Sequence, residues 1–170
     1  DIPNTVAKAV EAAVRLDVQM LTIHTSGGRA MMQAAQRAAE ETALRTGQTQ
    51  PLVLGVTVLT SLTTNDLAET GVPHDVGSQV ERLAGLAAQA GLGGLVCSPL
   101  EIVRLRQFLP SRMQLVTPGI RSAGSAADDQ QRTLTAAEAL AAGANWLVIG
   151  RPICAAPDPR AAAETILASL

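Results

Sequence analysis

Five short apolar runs, each followed by a loop and then a stretch of helical periodicity, leave this chain few architectures. The runs are Met20-Leu21-Thr22-Ile23-His24, Leu52-Val53-Leu54-Gly55-Val56-Thr57-Val58, Gly94-Leu95-Val96-Cys97-Ser98, Met113-Gln114-Leu115-Val116 and Trp146-Leu147-Val148-Ile149. They are apolar on both faces instead of alternating, which marks strands covered on both sides. Between them, an Ala-rich segment steps through Met31, Met32, Ala35, Ala38 and Ala39 to a stop at Gly47, and Val76, Val80, Leu83, Leu86 and Ala87 share one helical face. Further helices are expected over 65–69, 99–108, 136–142 and 159–167. Strand and helix alternating at this spacing require parallel strands joined by crossover helices. The chain enters on a helix whose first turn suits Pro3, with Asn4 or Thr5 as its cap. No linker or shift in composition divides it, so residues 1–170 read as a single domain. Two α/β architectures satisfy the pattern, an open doubly wound sheet or part of a (β/α)8 barrel. A whole barrel takes eight strands and about 250 residues.

Composition removes several functions. Trp146 and Phe108 are the only aromatics, so the core is built of Ala, Val, Leu and Ile, and a base-stacking platform for single-stranded nucleic acid is excluded. The net charge is -2 with no block of Lys or Arg, so no duplex-binding face is expected. No apolar run reaches the roughly 18 residues of a membrane span, and no signal peptide is visible. Cys97 and Cys154 stand in unlike contexts and read as reduced thiols of a cytoplasmic protein.

The residues with most chemical content cluster after the last two strands. Val116-Thr117-Pro118-Gly119-Ile120-Arg121 ends a buried run on a Pro-Gly break and an arginine, and a small-residue loop continues to Gln130. The final run leads directly into Gly150-Arg151-Pro152. Arginine holds a phosphate or carboxylate by a two-pronged contact, and glycine lets backbone N–H groups approach an oxyanion. Phosphate sites in barrels commonly lie at the loops after the last two strands. Two strand ends presenting Gly and Arg therefore point to one anion between them, against the plainer reading of two surface arginines. Asp1 serves more naturally as a helix cap. Thr60 and Ser98, each ending a strand, serve equally as caps or as donors to a small molecule. His24 has no evident carboxylate partner and reads as structural, and Cys97 as a buried thiol. No metal-ligand spacing, Walker sequence or dinucleotide fingerprint is present.

Five stretches together resemble the bacterial orotidine 5'-monophosphate decarboxylase family. They are Asp1-Ile2-Pro3-Asn4-Thr5, Val56-Thr57-Val58-Leu59-Thr60-Ser61, Val96-Cys97-Ser98, the Val116 to Arg121 stretch with Asp129-Gln130, and Val148-Ile149-Gly150-Arg151-Pro152. The family motif is D-x-K-x-x-D-I-P-N-T, and this chain begins at its last Asp. The resemblance therefore implies a (β/α)8 TIM barrel with roughly the first three strands missing from this chain, which supplies about strands 4–8. It implies a catalytic Asp1 that crosses a homodimer interface into the neighbouring site, with Ile2, Pro3, Asn4 and Thr5 beside it. It implies Thr60 and Ser98 around the pyrimidine and ribose, Pro118 among the substrate-binding residues, and Arg121, Gln130, Gly150 and Arg151 at the phosphate, with Ser122 to Asp129 as a lid. The implied reaction converts orotidine 5'-phosphate to UMP and CO2 in pyrimidine biosynthesis, without metal or organic cofactor. Its proton donor is a Lys of the motif that has no counterpart here, since Lys8 is the single lysine and lies on the following helix. The alternatives are an Mg2+-dependent sugar-phosphate decarboxylase or aldolase of the same barrel superfamily, and a non-catalytic partial-barrel fragment.

Overall fold

The computed structural model describes residues 1–121 and 133–170. Helix α1 (Pro3–Arg15) leads to strand β1 (Met20–His24), a 3-10 turn, α2 (Gly28–Thr46) and β2 (Leu52–Val56). Then come α3 (Thr64–Glu69), α4 (Val76–Gln89), β3 (Gly94–Val96), and a second 3-10 turn (Pro99–Glu101) running into α5 (Ile102–Arg106). The chain continues through β4 (Gln114–Thr117), α6 (Ala136–Ala141), β5 (Trp146–Leu147), α7 (Arg151–Cys154) and α8 (Pro159–Ala168).

Every strand pairs parallel with its predecessor, and the sheet order is β1-β2-β3-β4-β5. That order decides between the two expected architectures. A doubly wound sheet reverses direction at a switch point, which puts its first strand inside the sheet. Here each strand lies beside the one before it, as in the wall of a barrel. The fold is the α/β wall of a partial (β/α)8 barrel.

The register sorts side chains into two faces. Val53, Leu95 and Leu115 share the face that meets the helices, where they join Val10 and Val14 of α1, Met31 and Met32 of α2, Val80 and Leu83 of α4, and Ile102 and Leu105 of α5. Burying each such leucine or isoleucine contributes about 2 kcal/mol. Helix α2 adds Ala35, Ala38, Ala39 and Ala43, and these small side chains let α1 pack closely against it. A chain almost without aromatics thus fills its core by close approach instead of by large rings. The opposite face carries Leu54, Val56, Val96 and Val116, flanked by the exposed Thr22 and His24 at one edge and Trp146 at the other. Leu54 and Val116 are buried there and lie outside the helix-side core. On this inner face Trp146 Nε1 donates to Gln114 Oε1 at 3.3 Å.

Several boundaries differ from the expected ones. Strand β2 ends at Val56, because the Thr25 hydroxyl donates to the Val56 carbonyl at 2.7 Å where a strand amide would otherwise pair. Thr60 therefore lies in a turn four residues past the strand, not at its end. The N-cap of α1 is Ile2, with no side-chain cap. Pro3 disfavours helical geometry in the residue before it, and Ile2 is extended at φ -82°, ψ 129°. Asn4 and Thr5 consequently fall inside the first turn, and neither they nor Asp1 caps the helix. Strand β5 has only two residues before the chain turns at Gly150 into α7, a helix with too little periodicity to be foreseen.

Candidate functional site

The carboxyl ends of β4 and β5 converge on one cavity. After Thr117 the chain passes Pro118 and turns at Gly119, whose φ of +80° is the left-handed conformation that glycine adopts without strain. Ile120 then forms a parallel bridge with Leu134, and the Arg121 N–H donates to the Leu134 carbonyl at 3.0 Å. This bridge holds the backbone of Ile120 and Arg121 beside that of Leu134. Arg121 lines a cavity of about 350 Å³ together with Ile120, Thr135, Ile149, Pro152 and Thr165. Arg121 Nη1 donates to the Ile120 carbonyl at 3.1 Å. Nη2 is buried and meets no acceptor among the described residues. A buried donor without a partner costs about 1–3 kcal/mol, so the site favours a ligand that brings an acceptor.

From β5, Ile149 and Pro152 line the Arg121 cavity, and Gly150 and Arg151 lie between them in the chain without lining it. Arg151 is exposed at the first position of α7. Of the two expected Gly/Arg strand ends, Arg121 lines this cavity directly, and the second is represented in its wall by the neighbours of Gly150-Arg151. Gln130 and the expected lid from Ser122 to Asp129 lie outside the described residues.

The remaining candidates stand apart from this cavity. Asp1 lines a second cavity of about 370 Å³ along the free edge of β1, with Val10, Thr22, His24 and Met31. Ile2, Asn4 and Thr5 are exposed on the first turn of α1, and Pro3 is half-buried. The Asp1 group and the arginines therefore sit at opposite ends of the five-stranded arc. Thr60 is half-buried. Ser98, after β3, is closed from solvent, and its Oγ accepts the Leu100 N–H at 3.4 Å.

Two features escaped the reading of single residues. Glu101, nine-tenths buried, accepts the Ser98 N–H through Oε2 at 2.9 Å. The Ser98-Pro99-Leu100-Glu101 spacing is a capping-box signature that could have identified it. Arg106 ties together the entries to β4 and β5, donating to the carbonyls of Met113 and Gly143, both at 2.8 Å, and to Asn145 Oδ1. No signal marks a structural arginine of this kind in a single sequence. Among the described residues no three His, Cys, Asp or Glu side chains group as a metal site, and no helix is long and apolar enough to cross a membrane.

Cys97 is buried, as expected, and burial, reinforced by the charge of Glu101, pushes its thiol pKa up to about 12. It is neutral at any physiological pH and cannot act as a thiolate. Cys154 is exposed. Iodoacetamide is expected to alkylate Cys154 in the native protein and Cys97 only after denaturation, as read by peptide mass mapping. Native-state labelling of Cys97 would contradict its burial.

The model of the orotidine 5'-phosphate decarboxylase / HUMPS family matches residues 1–166. The chain is 60% identical over 170 residues to the orotidine 5'-phosphate decarboxylase of Opitutus terrae, covering all of this chain and 72% of that protein. It is 52% identical over 171 residues to the protein of the same name from Moorella thermoacetica, covering 68% of it. Among solved structures, orotidine 5'-phosphate decarboxylase from Lactobacillus acidophilus superimposes with a TM-score of 0.85 at 35% identity, over 99% of this chain and 70% of that one.

Proposed function

The chain belongs to the orotidine 5'-phosphate decarboxylase / HUMPS family, and from that membership we propose that the protein decarboxylates orotidine 5'-phosphate to UMP and CO2 in pyrimidine biosynthesis. The observation that carries this reading is a cavity lined by Arg121 after β4 and by Ile149 and Pro152, which flank Gly150-Arg151 after β5, beside a buried guanidinium nitrogen that has no acceptor among the described residues. Two arginines suit the dianionic 5'-phosphate. The five strands stand for about strands 4–8 of the barrel, in a single domain over residues 1–170. Closing the barrel would turn the face of Leu54, Val56, Val96 and Val116 inward and bring the Asp1 edge round toward the arginines.

In this reading each residue has a task. Arg121, Gln130, Gly150 and Arg151 hold the phosphate, with Pro118 setting the turn that aims Arg121 and 122–129 closing over the ligand. Thr60 and Ser98 meet the pyrimidine and ribose. Asp1, with Ile2, Pro3, Asn4 and Thr5, reaches the neighbouring site of a homodimer. Loss of CO2 leaves an electron pair at C6 of the pyrimidine, which takes a proton from a lysine that is not among the residues of this chain. Lys8 is no substitute, being exposed on α1 and paired with Glu11 at 3.0 Å. The phosphate lies far from C6, yet its grip lowers the barrier, because remote binding energy orders the reacting groups and excludes water. No metal or organic cofactor enters. The enzyme works in the cytoplasm, where its nucleotide substrate and product are soluble, and has no nucleic-acid partner.

CO2 release from orotidine 5'-phosphate by the full-length protein, with and without EDTA, tests this. Activity that persists in EDTA is expected. Activity abolished by EDTA and restored by Mg2+ would favour the sugar-phosphate chemistry of the same superfamily, which the relatives' names do not favour.

A further inference from the structure

The geometry assigns Glu101 as a positioning residue: by accepting the Ser98 amide it holds the corner after β3 in the shape that meets the base of the substrate. This rests on the proposed place of Ser98 beside the pyrimidine. The loops after β2, β3 and β4 each enter their helix through a reciprocal capping box, formed by Thr63 with Asp66, Ser98 with Glu101 and Thr135 with Glu138. In each, a hydroxyl accepts an amide of the first turn and an acid returns to the amide of the capping residue. Asp66 is half-buried and Glu138 exposed, whereas Glu101 is 9% exposed.

Capping alone does not account for that burial. Taking a carboxylate out of water is costly, and an exposed acid caps as well. The helix served here is also slight, a 3-10 turn followed by the five residues of α5. What burial adds is fixity at Ser98. Pro99 restricts Ser98 from one side, and Ser98 is extended at φ -61°, ψ 147°. Glu101 Oε2 holds its amide from the other, at 2.9 Å. The Ser98 hydroxyl, having accepted from Leu100, still has its proton to donate. Neither the Thr63 nor the Thr135 corner holds its capping residue with a buried acid, so the end of β3 is the stiffest of the three.

The test uses the full-length protein and compares UMP with ribose 5-phosphate, which carries the phosphate and sugar but no base. Glu101→Ala is expected to weaken UMP binding and lower kcat/KM about tenfold, the effect of freeing a buried amide. Ribose 5-phosphate should bind as before, and Glu101→Gln, whose amide oxygen still accepts the Ser98 N–H, should retain UMP affinity. Equal losses for both ligands, a Gln variant as poor as Ala, or an Ala variant equal to wild type would each overturn the assignment. If Glu101→Ala does not fold, Glu101→Asp, one methylene too short, should show the same selective loss. Ser98→Ala separates the two ideas. If it leaves UMP binding intact, the placement of Ser98 at the base fails. If it weakens UMP while Glu101→Ala does not, only the role of Glu101 fails.

Discussion

Arg121→Ala is expected to lower kcat/KM for orotidine 5'-phosphate about a thousandfold, about 4 kcal/mol of barrier, the scale of a buried charge pair losing one partner. The guanidinium has one described side-chain bond, to the carbonyl just before it, and its other terminal nitrogen is buried with no acceptor among the described residues. Little of its bonding capacity holds the fold, so the melting temperature should change by only a few degrees while the kinetics collapse. Arg121→Lys should recover little, because an ammonium cannot present two parallel donors. Arg151→Ala should fall in the same range if, as proposed, Gly150 and Arg151 complete the grip from β5. Wild-type kcat/KM for either alanine variant in steady-state assays would sink the assignment of the phosphate to this cavity.

The largest effect on stability is expected at Arg106. Its guanidinium donates to Met113 O, to Gly143 O through both Nε and Nη2, and to Asn145 Oδ1, which in turn accepts the Leu115 N–H at 2.8 Å. Asn145 N–H also donates to Leu115 O at 2.9 Å. One side chain of α5 thus fixes where β4 and β5 begin, and so the register in which both deliver their arginines at the far end. Arg106→Ala leaves these carbonyls without a donor and should cost about 3 kcal/mol. In a protein of this size that corresponds to a fall in melting temperature of about 10 °C. Arg106→Lys should recover only part of it, because one ammonium cannot reach all three acceptors. Denaturant unfolding that gives less than about 1 kcal/mol for Arg106→Ala would show the clamp to be superficial.

The parallel sheet was legible because buried strands write themselves as unbroken apolar runs, and all five lie where those runs are. The proposed phosphate grip rests on a similarly local signal: its Gly and Arg residues follow the ends of β4 and β5 closely in the chain. Strand ends were less legible. Val56 stops β2 because of a hydroxyl on Thr25, thirty-one residues earlier in the chain, and no window of sequence contains that pair. The order of strands could not be read either, since a doubly wound sheet and a barrel wall share the same alternation. Pairing of each strand with its predecessor is a property of space alone. Arg106 belongs to the same class, and Glu101 only in part. Arg106 bonds to backbone carbonyls and a side-chain amide far along the chain, which residue identity does not reveal. The cap made by Glu101 was visible in its spacing from Ser98, whereas its burial was not.

The reciprocal caps after β2, β3 and β4 have an evolutionary consequence. A helix that satisfies its own first amides needs nothing from the loop that feeds it. Where the Thr63 and Thr135 hydroxyls and amides hold Asp66 and Glu138 below the usual carboxylate range, the helix start is a self-contained fixture. The connection upstream can then lengthen, shorten or change its residues without unravelling the wall behind it. Substrate preference can drift in the loops while the scaffold is inherited unchanged, and these three corners are where such a protein can accept a new loop with the least harm to its fold.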